Sequence, residues 1–196
     1  MFKAIKTKRR YRTIVQRVAA AFIDGVVFFP ISLILDKLID QSDRMGFLIW
    51  TFFYSMTWLS YSIYMHGKYG QTLGKMASTV KVFWLDEVNV IGYRRAFYRE
   101  LIWLITTFLG LLYLMFQSSL SNDITTENMA KYCNFVFWVS VVSTLAELTT
   151  MFLNSKRRSL HDLLAGSVVV DVTKYRKWDI EYEDIMREAT EQKPVE

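Results

Sequence analysis

The sequence predicts an all-α membrane protein with four transmembrane helices, both termini in the cytoplasm and a small β-containing cytoplasmic cap. Three observations carry this expectation. Of the 196 residues, 52% are hydrophobic and 16% aromatic. Four long runs hold almost no charge, whereas the segments between them hold nearly all of it. Lysine and arginine are also divided very unevenly among those segments.

Residues 1–17 form a basic segment ahead of the first run, 18–35, which is broken only by Asp24. Its basic leader resembles that of a signal peptide, but it lacks a small-residue cleavage site and carries an internal acid, so it is read as a retained helix. The second run, 46–65, and the third, 101–116, are uncharged; the fourth, 133–153, carries Glu147 alone. At 1.5 Å per residue the runs reach roughly 24–32 Å, enough for a hydrocarbon core about 30 Å thick. The segment before the first run has seven Lys or Arg, the 66–100 loop six and the segment after the fourth run eight, against three in the other two loops. Positive charge favours the cytoplasmic side, which places both termini and the 66–100 loop there. The expected setting is the lipid bilayer of the plasma membrane.

Charge and cysteine usage exclude several classes. A net charge of +5 is what basic loops beside membrane spans supply, so nucleic acid is not an expected partner. The lone Cys133 allows neither an internal disulfide nor a cysteine zinc site, and two scattered histidines give no metal cluster. "HGKYGQTLGKM" fails as a phosphate loop, because Tyr69 stands where the first glycine belongs and Met76 replaces Ser/Thr. No cofactor is expected.

In the cap, residues 79–85 alternate like a strand, with "EVNVI" as a hairpin partner after an Asp86-Glu87 turn and 167–172 as a third strand. The glycines of "GKYGQTLGK" predict tight turns that set Gly70, Gln71, Gly74 and Lys75 at the membrane rim. "GYRRAFYREL" opens the third helix. Ser159-x-x-Asp162 matches a capping box, His161 lies within it, and Gly166 ends the short helix. Residues 172–196 form a tail, with a weakly amphipathic stretch from Asp179 to Ala189.

Two acids inside apolar runs are the candidate site. Arg17 and Asp24 lie seven apart, on nearly one helix face and about 10 Å apart along the axis. Counting from Lys156, Glu147 lies at a similar depth. A charge at a lipid-facing helix centre costs at least about 2.5–3.5 kcal/mol, so both carboxylates should face the interior. There they either bind a proton or cation or hydrogen-bond hydroxyls across helices. Ala19, Ala20, Ala21 and Gly25 allow close helix approach beside Asp24.

Arg17 with Asp24, then "GQTLGK", "RRAFYREL" and "SLHDLLAGSVVV", resemble the RDD family of membrane proteins over residues 17–171. The arginine and two aspartates of that name match Arg17, Asp24 and Asp162. Leu73 stands where the family's GQTPGK-like motif has proline, and Glu147 is not part of the named motif. The resemblance implies either cation/proton antiport or membership of a membrane-protein complex, with no enzymatic chemistry. Three functions are therefore weighed. In transport, Asp24 and Glu147 form the ion or proton pathway, Arg17 and Asp162 a cytoplasmic gate, and a homodimer encloses the route. In scaffolding, Arg17–Asp162 locks the bundle and other membrane subunits dock on the cap. An intramembrane aspartyl-type enzyme has no supporting residues beside the two acids.

Overall fold

A computed structural model describes residues 10–40, 44–118 and 126–173. The basic stretch before residue 10 and the expected tail helix at 179–189 lie outside the described residues. The chain runs α1 (Ile14–Leu38), α2 (Arg44–Tyr69), α3 (Leu73–Ala77), β1 (Val80–Trp84), α4 (Gly92–Ser118), α5 (Thr126–Leu153), α6 (Leu160–Ala165) and β2 (Ser167–Asp171).

Three helices among the described residues are long and apolar enough to cross a membrane: Ile14–Leu38, Gly92–Tyr113 and Ala130–Leu153. Their apolar side chains face outward, as with Phe22, Phe29, Phe108 and Trp138, which suits a lipid surround rather than water. α2 has 26 residues but is not among the three. Its buried stripe explains this: Phe47, Thr51, Ser55, Ser62 and His66 recur at helical spacing and face the protein interior. α1 runs unbroken through Pro30. Its inward stripe is Ala20, Asp24 and Phe28, with the Phe28 ring set edge-on to Trp58 and Tyr61 of α2 at 4.8 and 4.9 Å.

α4 packs against α2, α5 and α6, whereas α1 rests mainly on the short α3. β1 and β2 pair antiparallel with Val80 opposite Asp171 and Trp84 opposite Ser167. Alternation sends Val80, Val82 and Val169 toward Ile91 and Ala96, and Phe83, Val168 and Val170 toward Tyr11. The expected "EVNVI" strand does not form, whereas the one expected at 167–172 does, as β2. The Asp86 carboxylate accepts the N–H groups of Val88 and Asn89, Glu87 takes a positive φ, and only an isolated Phe83–Val90 bridge remains. That local turn consumes the residues a hairpin strand would need.

Candidate functional site

The site lies where α1, α2, α3, α4, α5 and α6 converge near the sheet. Gly70 adopts φ +70°, and its carbonyl accepts the Val82 N–H at 2.8 Å, which turns the chain from α2 toward the sheet. Gln71 steadies that turn by donating to the Val80 carbonyl at 2.9 Å. Thr72 then caps α3. Gly74 follows, and it is glycine because of contact rather than torsion: a Cβ there would stand 2.1 Å from the Ala20 carbonyl oxygen and 2.9 Å from Asp24 Cγ. The close approach lets α3 present its first turn to Asp24.

Asp24 is buried and both of its oxygens are engaged. Oδ1 accepts the Gly74 N–H and the Tyr61 hydroxyl, each at 2.8 Å, and Oδ2 accepts the Thr72 hydroxyl at 2.6 Å. Donors at the start of a helix suit a carboxylate well. The Tyr61 hydroxyl also accepts the Leu73 N–H at 2.8 Å, so the residue that replaces the motif's proline uses a group proline lacks.

Asp162 forms a second knot. Its Oδ2 lies 2.7 Å from Arg17 and its Oδ1 2.7 Å from Arg99. It also accepts the Ser159 N–H at 3.2 Å, completing the expected capping role, and the Ser167 hydroxyl at 3.2 Å. Burial alone would raise its pKa, but the Arg17 and Arg99 guanidiniums hold its carboxyl well below the usual carboxylate range. Gly166, in the left-handed region at φ +62°, ends α6 and turns the chain into β2.

Glu147 does not touch Asp24. It pairs with His161 Nδ1 at 2.7 Å, yet both acids line one cavity of about 520 Å³. Arg17, His66, Lys75, Arg99 and Glu100 line it too, with hydroxyls of Ser140, Ser143 and Thr144 on the α5 wall. Lys75 brings Nζ to 2.5 Å from His66 Nε2, and burial pushes its ammonium pKa down to about 7. Arg99 Nε is buried and has no hydrogen-bond partner among the described residues.

The RDD family model matches residues 11–166. The chain belongs to the RDD family. No curated protein and no solved structure matches it. The arginine and two aspartates of the RDD name occupy two separate knots. Arg17 and Asp162 join directly, whereas Asp24 holds α3 instead. Sequence reading passed over Arg99, Glu100, His66 and Tyr61 as components of this RDD site. One signal was present: Ala96, Arg99, Trp103 and Thr106 recur on one helical face, and the last three line the cavity.

Proposed function

We propose that this RDD family protein moves protons or small cations across the plasma membrane, using Asp24 and Glu147 as an inward-facing carboxylate layer. In this reading α2 is a fourth span, its polar stripe turned inward, and both termini are cytoplasmic. A homodimer encloses the route. The observation that carries the proposal is the shared cavity, which brings both intramembrane acids together with Lys75, His66, Arg99 and Glu100. Charges are costly in lipid and are kept where an ion or proton path needs them.

The test is reconstitution of the full chain in liposomes, with an imposed sodium or potassium gradient and an internal pH dye. Cation-driven pH change is expected in the wild type, with a fall of at least about tenfold in Glu147→Gln, since an essential charged ligand is lost. Asp24→Asn should fall likewise. Flux equal to wild type in a monodisperse Glu147→Gln protein overturns the reading.

One observation favours a second function. Asp24 already has three donors, which is a holding role. A non-enzymatic scaffold or assembly subunit would need that rigidity and no flux. Silent liposomes together with a stoichiometric membrane subunit in native cross-linking would select it.

A further inference from the structure

The cavity contains a continuous string of exchangeable groups that the carboxylate layer does not use. Lys75 Nζ lies 2.5 Å from His66 Nε2. His66 Nδ1 lies 2.9 Å from the Ser62 carbonyl oxygen and 3.1 Å from its hydroxyl. The Ser62 hydroxyl donates to Glu100 Oε1 at 2.5 Å. His66 and Ser62 are each 3% exposed, so the middle of the string is shielded from solvent. With Lys75 as an ammonium, a single tautomer satisfies every link. Nζ–H donates to the bare Nε2, Nδ1–H is shared between the Ser62 carbonyl and hydroxyl oxygens, and the Ser62 hydroxyl donates to Glu100. Every hydrogen then points from Lys75 toward Glu100.

We propose that Lys75, His66, Ser62 and Glu100 form a proton-transfer chain, loaded at Lys75 and discharged at Glu100. The inference rests on the transport reading for its physiological use, not for its chemistry. A proton leaves Lys75 Nζ as the His66 Nε2–H bond forms. The Nδ1 proton passes to Ser62 Oγ, and the original Ser62 proton passes to Glu100 Oε1. The products are a neutral amine, the other imidazole tautomer, an unchanged hydroxyl and a carboxylic acid. One positive and one negative charge disappear together, so no charge is left stranded in the low-dielectric interior. Release of the proton from Glu100 then leaves the cavity one positive charge poorer, and a cation at Asp24 and Glu147 restores the balance.

The surrounding charges set where Lys75 titrates. Around the cavity stand Arg17 and Asp24 from α1, His66 from α2 and Arg99 and Glu100 from α4, with Glu147 from α5 and His161 from α6; Asp162 of α6 lies behind Arg17 and Arg99. Burial is the largest influence on the ammonium and Arg99 adds to it, while Asp162 and Glu100 pull the other way.

The test uses the full chain labelled with ¹⁵N-lysine in detergent micelles, with the Lys75 resonance assigned by its loss in Lys75→Arg. A midpoint near neutrality is expected in the wild type and in Ser62→Ala. Glu100→Gln should weaken proton affinity at Lys75 at least about threefold, because an attracting charge is gone. Ser62→Ala should slow proton exchange at Nζ at least about tenfold, since a positioned relay group is lost, and Ser62→Thr should restore it. In liposomes, Ser62→Ala should slow cation-driven pH change by a similar factor. An ordinary lysine midpoint, or unchanged exchange in Ser62→Ala, overturns the chain. Wild-type liposomes without flux, alongside a near-neutral Lys75 and slowed exchange in Ser62→Ala, remove the transport reading and leave the chain standing.

Discussion

Asp162 and Lys75 are both buried against charged neighbours, and each makes stability rise with pH, though in different pH ranges. The Asp162 carboxyl is held well below its unfolded pKa, so its contribution to stability is present above about pH 4 and fades as the pH falls below that value. Asp162→Asn leaves Arg17 and Arg99 without their shared carboxylate, and a loss of about 3–5 kcal/mol is expected for a broken buried pair. Thermal unfolding in detergent at pH 7 measures it, and a variant as stable as wild type would refute the assignment. For Lys75 the folded pKa, about 7, lies below the unfolded value. The folded chain therefore binds fewer protons between those values, and stability rises with pH from about 7 to 10. Lys75→Met should unfold at a higher temperature than wild type at pH 6 and flatten the pH profile. Gly74 presents a steric limit instead. Gly74→Ala drives a methyl into the Ala20 carbonyl, and overpacking of this kind costs typically about 1–3 kcal/mol.

At the scale of elements, α3 shows how a five-residue helix can matter. It is too short to be stable alone and is held by Asp24, Thr72 and Tyr61. Proline at its first position would fit the extended Thr72 before it, with ψ 171°. It would also forfeit the Leu73 N–H donation to Tyr61. The gain in preorganisation, about 0.4–1 kcal/mol, and the lost hydrogen bond, about 1 kcal/mol, nearly cancel. Leu73→Pro should therefore lie within about 1 kcal/mol of wild type, as measured by unfolding in detergent. Local signals made much of this element scale legible. The apolar runs, the Ser159–Asp162 capping box, the αL glycine at Gly166 and the strand at Ser167 all follow from neighbours in sequence. The "EVNVI" strand failed because an Asp86 turn is a stronger local structure than a hairpin of exposed residues. α2 carried a mixed signal, since its hydroxyls lower its apolar character while serving the interior face.

For the molecule as a whole, the site was less legible than the helices because its partners are distant in the chain. Arg99 meets Asp162 across 63 positions, and Ser62 meets Glu100 across 38. From sequence, Arg99 counts only toward the charge of a loop, because no local pattern distinguishes a topology signal from a buried ligand of Asp162. The proposed orientation is tested with single cysteines in a Cys133→Ser background. Val88→Cys, on the exposed cap, should react with an impermeant maleimide only after cells are opened, and Asp40→Cys in intact cells. The reverse pattern would invert the topology. Finally, the sheet joins segments made far apart in time. The Asp171 N–H donates to the Arg10 carbonyl, and Val172 N–H to that of Thr79. During synthesis Asp24 can engage α3 early, but Arg17 and Arg99 wait for residues 159–171 before they find their acid. A chain that ends before Ser159 therefore lacks the one carboxylate that ties Arg17 to Arg99, so α1 and α4 are bridged through that acid only once the last strand has been made.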